Sequence, residues 1–314
     1  MFKTITRNTH IPICGLALAI ASMANLLAPL SNIVYHLLMI TSLTIIIVFS
    51  LTLIEDTNRI KEDLENPLVF GVFPTYFMAL MLLSGYIEHF SHTLGYIIWG
   101  VALVANIIAM FIFSKKFLFN FKIKNVFPTW FVLFVGFLVG CITSPLFGME
   151  EIGKVLFYVG FILYMLVLPL VIYRVFKVKQ LADPAKPSLA IFCAPANLSI
   201  VAYLSVFKEQ SNDYLLLFLL VISIITYAGV LINIPKILSL DFYPSFSALT
   251  FPLVISATSY MKLGEHFGIS ENVVFHYISI ATIVLAVVVV SYIFILFCKH
   301  YHRAISSYVF AKAE

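Results

Sequence analysis

The sequence predicts an all-α polytopic membrane protein, with ten transmembrane helices arranged as five helical hairpins. Of its 314 residues, 62% are hydrophobic and 11% are charged, whereas soluble domains are about half apolar and about a quarter charged. The charged residues are also clustered, so that nine long stretches of the chain contain none. This composition excludes an ordinary soluble enzyme, a disordered chain and a nucleic-acid-binding protein.

The charge-free stretches predict the number of crossings, because a helix needs about 20 apolar residues to cross the hydrocarbon core. Eight stretches fit one helix each, and the first, which is about twice as long and is interrupted by Pro29-Leu30-Ser31-Asn32, fits two. The stretches lie between Arg7 and Glu55, Glu65 and Glu88, Glu88 and Lys115, Lys124 and Glu150, Lys154 and Arg174, Lys186 and Lys208, Asp213 and Lys236, Asp241 and Lys262, and Glu271 and Lys299.

These ten spans form a single predicted transmembrane domain over residues 1–314, since no connecting segment is long enough for an independent domain. Each odd-numbered span pairs with the even-numbered span that follows it. The resulting hairpin repeats cover approximately residues 8–56, 66–114, 125–174, 187–235 and 242–300.

The distribution of basic residues predicts the orientation. If the N-terminus is cytoplasmic, 16 of the 19 Lys and Arg residues lie on the cytoplasmic side, and only Lys154, Lys208 and Lys262 lie outside. Positive charge is enriched in cytoplasmic loops of membrane proteins. We therefore expect a multi-pass protein of the bacterial inner (plasma) membrane, with its N- and C-termini in the cytoplasm.

An internal repeat distinguishes the odd spans from the even ones. Residues 73–77 (Phe-Pro-Thr-Tyr-Phe) in span 3 recur as residues 127–131 (Phe-Pro-Thr-Trp-Phe) in span 5. Spans 7 and 9 both open with Pro-Ser, at 187–188 and 244–245, and both carry a second proline and a tyrosine further on at matching offsets. One proline therefore recurs about every hairpin length, at Pro12, Pro74, Pro128, Pro195 and Pro252.

Proline inside a helix removes a backbone hydrogen bond, and in lipid the freed carbonyl must be satisfied by protein or by water in a cavity. The five odd spans are therefore predicted to lie together in the middle and to line a hydrated path, with the even spans outside. The alternative is that the prolines are packing kinks without a pore.

The candidate chemistry is that of a conduit. The spans contain no Asp, Glu, Lys or Arg, and the four cysteines have neither metal-ligand nor redox spacing, so we expect no catalytic residue, no metal and no cofactor. Only His36 and His276 lie within spans, both on even helices. A membrane-embedded enzyme and a purely structural or receptor role are the alternatives from other classes.

The chain resembles the tellurite-resistance/dicarboxylate transporter family, which includes bacterial tellurite-resistance (TehA) proteins, plant slow anion channels, and fungal sulfite and malate transporters. The resemblance covers most of the chain. Its motifs are Ala194-Pro195-Ala196 with 202–205 (Ala-Tyr-Leu-Ser) in span 7, and Thr250-Phe251-Pro252-Leu253 in span 9. Asn66-Pro67 leading to Ser84-Gly85 in span 3 adds to it.

The resemblance implies a quasi-five-fold arrangement of hairpins around a central pore, a homotrimer with one pore in each protomer, and occlusion of that pore by Phe251. The implied function is an anion channel or channel-like transporter that conducts small monovalent anions such as chloride and nitrate across the lipid bilayer. The alternative within transport is a carrier or exporter of a small organic or sulfur oxyanion, such as a C4-dicarboxylate, sulfite or a tellurite-related anion.

Together, the repeat and the resemblance give a set of pore-lining or helix-kink candidates, in which the hydroxyl groups are expected to replace part of an anion's hydration shell. The set is Pro12, Gly15, Phe73, Pro74, Phe127, Pro128, Pro195, Ser199, Thr250, Pro252 and Ser256.

Two features depart from the family pattern or lie outside it. A tryptophan often precedes the span 9 phenylalanine in the family, whereas this chain has Ser247 and Ala248, and the start of span 1 has only Gly15. On the outer side, charged and histidine residues are predicted to form either a solvated rim or a mouth that senses ions or pH. These residues are Glu88, His89, His92, Lys262, Glu265 and His266.

Overall fold

The structure, a computed structural model, describes residues 2–313, with side chains described for residues 4–208 and 210–306. Its regular elements are all helical within the described range. The α-helices are α1 (Phe2–Arg7), α2 (Ile13–Leu27), α3 (Asn32–Glu55), α4 (Thr57–Asp63), α5 (Pro67–Val72), α6 (Thr75–Glu88), α7 (His92–Phe113), α8 (Thr129–Val135), α9 (Leu138–Thr143), α10 (Glu150–Tyr173), α11 (Ala194–Phe207), α12 (Asp213–Leu238), α13 (Thr250–His266) and α14 (Val273–Ala313).

Within the described residues, seven helical segments are long and apolar enough to cross a membrane, and the pair Thr129–Val135 and Leu138–Phe147, bent by 44°, raises this number to as many as eight. The seven are Asn32–Glu55, Pro67–Glu88, His92–Leu118, Glu150–Val178, Asp183–Phe207, Asp213–Leu238 and Val273–Ser306. The apolar helix Ile13–Leu27 is shorter. The protein is therefore a multi-pass membrane protein, and ten crossings remain a prediction.

Five helical segments form a closed ring of contacts at the centre of the molecule. Helix α2 packs against α6, α6 against α9, α9 against α11, α11 against α13, and α13 returns to α2. A second set of helices packs outside them, α3 against α2, α7 against α6, α10 against α8 and α9, α12 against α11, and α14 against α13.

Burial separates the two sets of helices. In the most apolar windows of Pro67–Glu88 and Asp183–Phe207, 61% and 83% of the residues are buried, against 28–33% in the windows of the other five long segments. Helices exposed on most of their surface with apolar side chains are suited to lipid. The inner helices are therefore enclosed by protein, and the outer helices present the apolar surface that suits lipid.

The five recurrent prolines lie at the beginning of α-helices, and Pro74 and Pro195 lie at breaks inside the apolar segments Pro67–Glu88 and Asp183–Phe207. Pro12, Pro74 and Pro128 directly precede α2, α6 and α8. Pro195 and Pro252 are the second and third residues of α11 and α13, each of which follows a 3₁₀ turn. Proline suits the first turn of a helix, because its missing N–H would have no partner there.

A helix break that the sequence did not predict lies between α8 and α9. Gly136 and Phe137 separate them, and the two parts differ in direction by 44°. A Cβ at Gly136 would come within 2.6 Å of the sulfur of Met78, so α6 and α8 approach each other closely at this position. The absence of a side chain at Gly136 permits this close approach.

The acidic segment that follows span 2, residues 55–65, contains a short helix of its own. Helix α3 ends at Glu55, and α4 begins at Thr57. Arg59 on α4 donates hydrogen bonds to the carbonyl oxygens of Thr6 (3.2 Å) and Thr9 (2.9 Å) and pairs with Asp56 at 2.8 Å. This segment therefore ties the beginning of the chain to the end of the first hairpin.

Cysteine labelling tests the predicted topology. In a Cys298→Ser background, which removes the exposed native cysteine, Asn120→Cys and Lys177→Cys are expected to react with a membrane-impermeant maleimide only from the cytoplasmic side, and Lys208→Cys only from outside. All three positions are exposed. Labelling of Lys208→Cys from the same side as Asn120→Cys would contradict the ten-span topology.

Candidate functional site

The ring of inner helices encloses a chamber near the beginnings of these helices, the inner chamber. The space that the centre of a water molecule can occupy in it is about 40 Å³. This is enough for only a few water molecules. Every inner segment contributes to its wall. The lining residues are Gly15, Leu18, Val72, Thr75, Met78, Phe131, Val132, Val135, Gly136, Ile191, Ala194, Pro195, Leu198, Ser247, Ala248, Phe251 and Pro252.

A second and wider cavity, the outer chamber, lies towards the other ends of the same helices. Its volume for water-sized spheres is about 320 Å³. The same five inner segments supply its wall, further along each helix. The lining residues are Ser22, Asn25, Leu82, Val139, Ile142, Thr143, Leu146, Val201, Phe251, Ile255, Thr258 and Lys262.

Phe251 lines both chambers, and within the described residues no other side chain does so. It is the second residue of α13 and directly precedes Pro252, and only 7% of its surface is exposed. The ring therefore lies where the two chambers meet. Phe251 is thus common to the walls of a narrow apolar chamber and of a wider and more polar one.

The inner chamber is apolar. None of its lining residues is charged, and its only side-chain hydroxyls are those of Thr75 and Ser247. The Thr75 hydroxyl donates to the carbonyl oxygen of Val72 at 2.8 Å. The Ser247 hydroxyl has no hydrogen-bond partner among the described residues, and a Cβ at Gly15 would lie 3.2 Å from its oxygen.

Five helices of the inner segments share one further property at their N-termini. They are α2, α6, α8 (the first part of the bent α8–α9 pair), α11 and α13. No side chain caps any of them, whereas Ser31, Ser91 and Asn212 cap the outer helices α3, α7 and α12. Residues of each inner helix's first turn or of the preceding turn line the inner chamber. Backbone N–H groups of these turns are bonded to carbonyl oxygens of the preceding turn, as for Gly15 to Pro12 at 3.0 Å and Phe131 to Pro128 at 3.1 Å.

The sequence-predicted pore residues divide into two groups. Gly15, Pro195, Phe251 and Pro252 line the inner chamber. The remaining candidates do not belong to the wall of either chamber. They are Pro12, Phe73, Pro74, Phe127, Pro128, Ser199, Thr250 and Ser256.

The three predicted pore hydroxyls are fully buried and bonded to backbone. Ser199 donates to the carbonyl oxygen of Pro195 at 2.8 Å, and Ser256 to that of Pro252 at 2.7 Å. Thr250 donates to the carbonyl oxygen of Ser247 at 2.6 Å. In lipid, hydroxyls inside helices commonly satisfy backbone carbonyls in this way. The structure thus places these groups in the packing between helices.

A buried polar network connects α11, α12 and α13. The sequence analysis did not identify it. The Asn197 amide nitrogen donates to the carbonyl oxygen of Cys193 at 2.6 Å and to the Ser256 hydroxyl at 2.9 Å. Its amide oxygen accepts from Ser223 at 2.8 Å, and the Ser223 hydroxyl lies 3.0 Å from that of Tyr260. The signal in the sequence was an amide within an apolar span, next to the Ala-Pro-Ala motif.

The outer charged residues form separate groups. Glu88 lies 3.4 Å from the His92 ring nitrogen and 3.8 Å from that of His89. His266 lies 2.8 Å from Asp213. Lys262 differs, since its side chain lines the outer chamber. Of the two histidines within spans, His36 lies 3.1 Å from the Tyr86 hydroxyl, and His276 is exposed on α14.

The comparison with protein families decides which family the fold represents. Residues 9–298 match the protein family described as voltage-dependent anion channel (SLAC1). The chain belongs to this family. The resemblance to the tellurite-resistance/dicarboxylate transporter proteins, drawn from the motifs in spans 3, 7 and 9, is thereby confirmed.

A second comparison gives a more distant relative. The chain is 26% identical, over 165 residues, to an uncharacterized transporter from Methanocaldococcus jannaschii. The match covers 47% of this chain and 47% of the relative. The chain therefore aligns with about half the length of that curated relative.

Proposed function

We propose that the protein is an anion channel or channel-like transporter, and that small monovalent anions cross each protomer through the two chambers once the Phe251 ring moves aside. The observation that carries this proposal is the position of Phe251 between two chambers enclosed by the same five helical segments. Membership of the voltage-dependent anion channel family supports an anion as the transported species.

The chemistry of the inner chamber supports weak and reversible anion binding. No Lys or Arg lines the chamber to hold an anion tightly. Conduction requires binding that is favourable enough to enter and weak enough to leave. Because the chamber is narrow and apolar, an anion must lose most of its hydration shell, which favours chloride and nitrate over more strongly hydrated anions.

The membrane arrangement completes the proposal. We propose ten crossings in five hairpins, with quasi-five-fold inner helices, in the bacterial inner membrane, with both termini in the cytoplasm. In this orientation the inner chamber faces the cytoplasm. We also propose assembly as a homotrimer, supported by the family resemblance and by the many apolar side chains exposed on the outer helices α3, α7, α10, α12 and α14.

A flux assay tests the proposed function. Purified protein in liposomes, as wild type and as Phe251→Ala, is assayed with chloride, nitrate, sulfite and malate on one side. We expect passive flux that rises in proportion to the gradient without saturating at low concentration, and that is faster for chloride and nitrate than for sulfite and malate. Protein-free liposomes provide the background rate.

The alternative function predicts a different result in the same assay. A carrier or exporter of a small oxyanion would show saturable flux with a preference for malate or sulfite, and that result would replace the channel proposal. No anion flux from either protein, with both correctly folded, would contradict transport of these anions altogether.

A further inference from the structure

Among the lysines predicted to lie outside, Lys262 differs from the other two in its surroundings. Of the three lysines predicted to lie outside, Lys154 pairs with Glu151 at 2.7 Å, and Lys208 lies 4.0 Å from a carboxylate oxygen of Glu150. Lys262 has neither a carboxylate nor a hydrogen-bond partner among the residues that the structure describes, and it lines the outer chamber. No other lining residue of either chamber is charged.

Lys262 lies on the same face of α13 as Phe251. The outer-chamber residues of this helix are Phe251, Ile255, Thr258 and Lys262, whose spacing of four, three and four residues defines one helical face. At a rise of about 1.5 Å per residue, Lys262 is about 16 Å further along the helix axis than Phe251. The cation therefore lies at the far end of the chamber that Phe251 closes.

Helix α2, which packs against α13, contributes two more donors to this chamber. Ser22 and Asn25 are three residues apart and both line it, and neither side chain has a hydrogen-bond partner in the described part of the chain. The other two hydroxyls of the wall are engaged, since Thr143 donates to the carbonyl oxygen of Val139 at 2.9 Å and Thr258 to that of Val254 at 3.0 Å.

We propose that Lys262, Asn25 and Ser22 form a loading site for a small monovalent anion in the outer chamber. This inference rests on the proposed anion pathway and adds to it the place where anions are concentrated before they reach Phe251. An ammonium, an amide N–H and a hydroxyl are three donors suited to a partly hydrated anion. Because Lys262 is only partly buried, water screens its charge, and the anion is held weakly enough to move on.

The functional consequence is an asymmetric anion current at low salt. A cation at one mouth raises the local anion concentration on that side alone. Coulomb's law in water makes the concentration beside a unit charge, at a distance of about 7 Å, about threefold higher than in bulk. Anion influx from the outer side is therefore expected to exceed efflux under equal and opposite gradients.

Conductance measurements in planar bilayers test the loading site, in a Phe251→Ala background that keeps the path open. In ~10 mM chloride, where the Debye length is about 30 Å, Lys262→Gln is expected to lower anion influx about threefold and to remove the asymmetry. Lys262→Arg retains both. In ~1 M chloride, where the Debye length is about 3 Å, Lys262→Gln and its parent conduct alike.

The matched control is Lys154→Gln, which removes an outer lysine that is paired and does not line the chamber, and which is expected to leave the current unchanged. Equal influx and equal asymmetry for Lys262→Gln and its parent at ~10 mM would overturn the loading site while leaving the proposed function intact. Absence of anion current in the Phe251→Ala parent itself would instead overturn the proposed function.

Discussion

Replacement of Phe251 by alanine is expected to raise anion conductance severalfold or more. Phe251 lines both chambers, so its truncation is expected to join the apolar space of about 40 Å³ to the wider one of about 320 Å³. Water can then enter the constriction, and the main steric barrier to an anion is lost. Phe251→Leu, which retains a branched apolar side chain, is expected to give a smaller increase. The measurement is the current in planar bilayers or oocytes.

Two phenylalanines provide matched controls. Phe134 on α8 is 6% exposed, close to the 7% of Phe251, but it packs against Phe113 and Trp130 and lines neither chamber. Phe294 lies on the outer helix α14. Alanine at either position is expected to leave conductance unchanged. A Phe251→Ala protein that is well folded yet no more conductive than wild type would refute the closing role of Phe251.

Replacement of Asn197 by leucine is expected to destabilise the protein by about 2 kcal/mol. The amide makes three hydrogen bonds, to the Cys193 carbonyl directly before α11, to Ser223 on α12 and to Ser256 on α13, and side-chain hydrogen bonds inside membrane proteins average about 0.6 kcal/mol each. Leucine has a similar volume but can make none of these bonds. The measurement is thermal or denaturant unfolding of the purified protein in detergent.

Ser199→Ala is the control for Asn197→Leu. Ser199 is also fully buried on α11, but its hydroxyl donates only to the Pro195 carbonyl of its own helix. Its removal is expected to cost well under half as much. Equal stability of Asn197→Leu and wild type would show that the network does not join the three helices energetically.

The sequence was most informative where a single property extends over a whole helix. The charge-free stretches correspond to the long apolar helices, because transfer into lipid excludes charge over about 20 successive residues. Helix α2 and the α8–α9 pair correspond less well. The first has only 15 residues, and the second breaks at Gly136, where the close approach of Met78 on a distant segment was not visible in the local pattern.

The candidate site was predicted less completely, because it depends on which face of each helix is turned inwards. The motif around Pro252 includes Phe251, which lines both chambers, whereas the hydroxyls of Ser199 and Ser256 lie in the packing between helices. The sequence predicts Lys262 in a solvated rim or a mouth on the outer side. Only the three-dimensional arrangement of α2 and α13 shows that it shares a chamber with Asn25.

The closure of the inner ring between α13 and α2 has a consequence for biosynthesis. The Thr250 hydroxyl lies 3.4 Å from the carbonyl oxygen of Gly15, across 235 positions of sequence, and the Tyr301 hydroxyl donates to that of Thr9 across 292 positions. Helix α2, which is almost wholly buried in the finished fold, therefore leaves the ribosome long before its last neighbour exists. At about 5–20 residues per second, this delay is on the order of ten seconds to a minute. During this interval α2 and α3 must be accommodated by lipid, by the insertion machinery or by a chaperone, and the ring of contacts can close only after α13 has been synthesised.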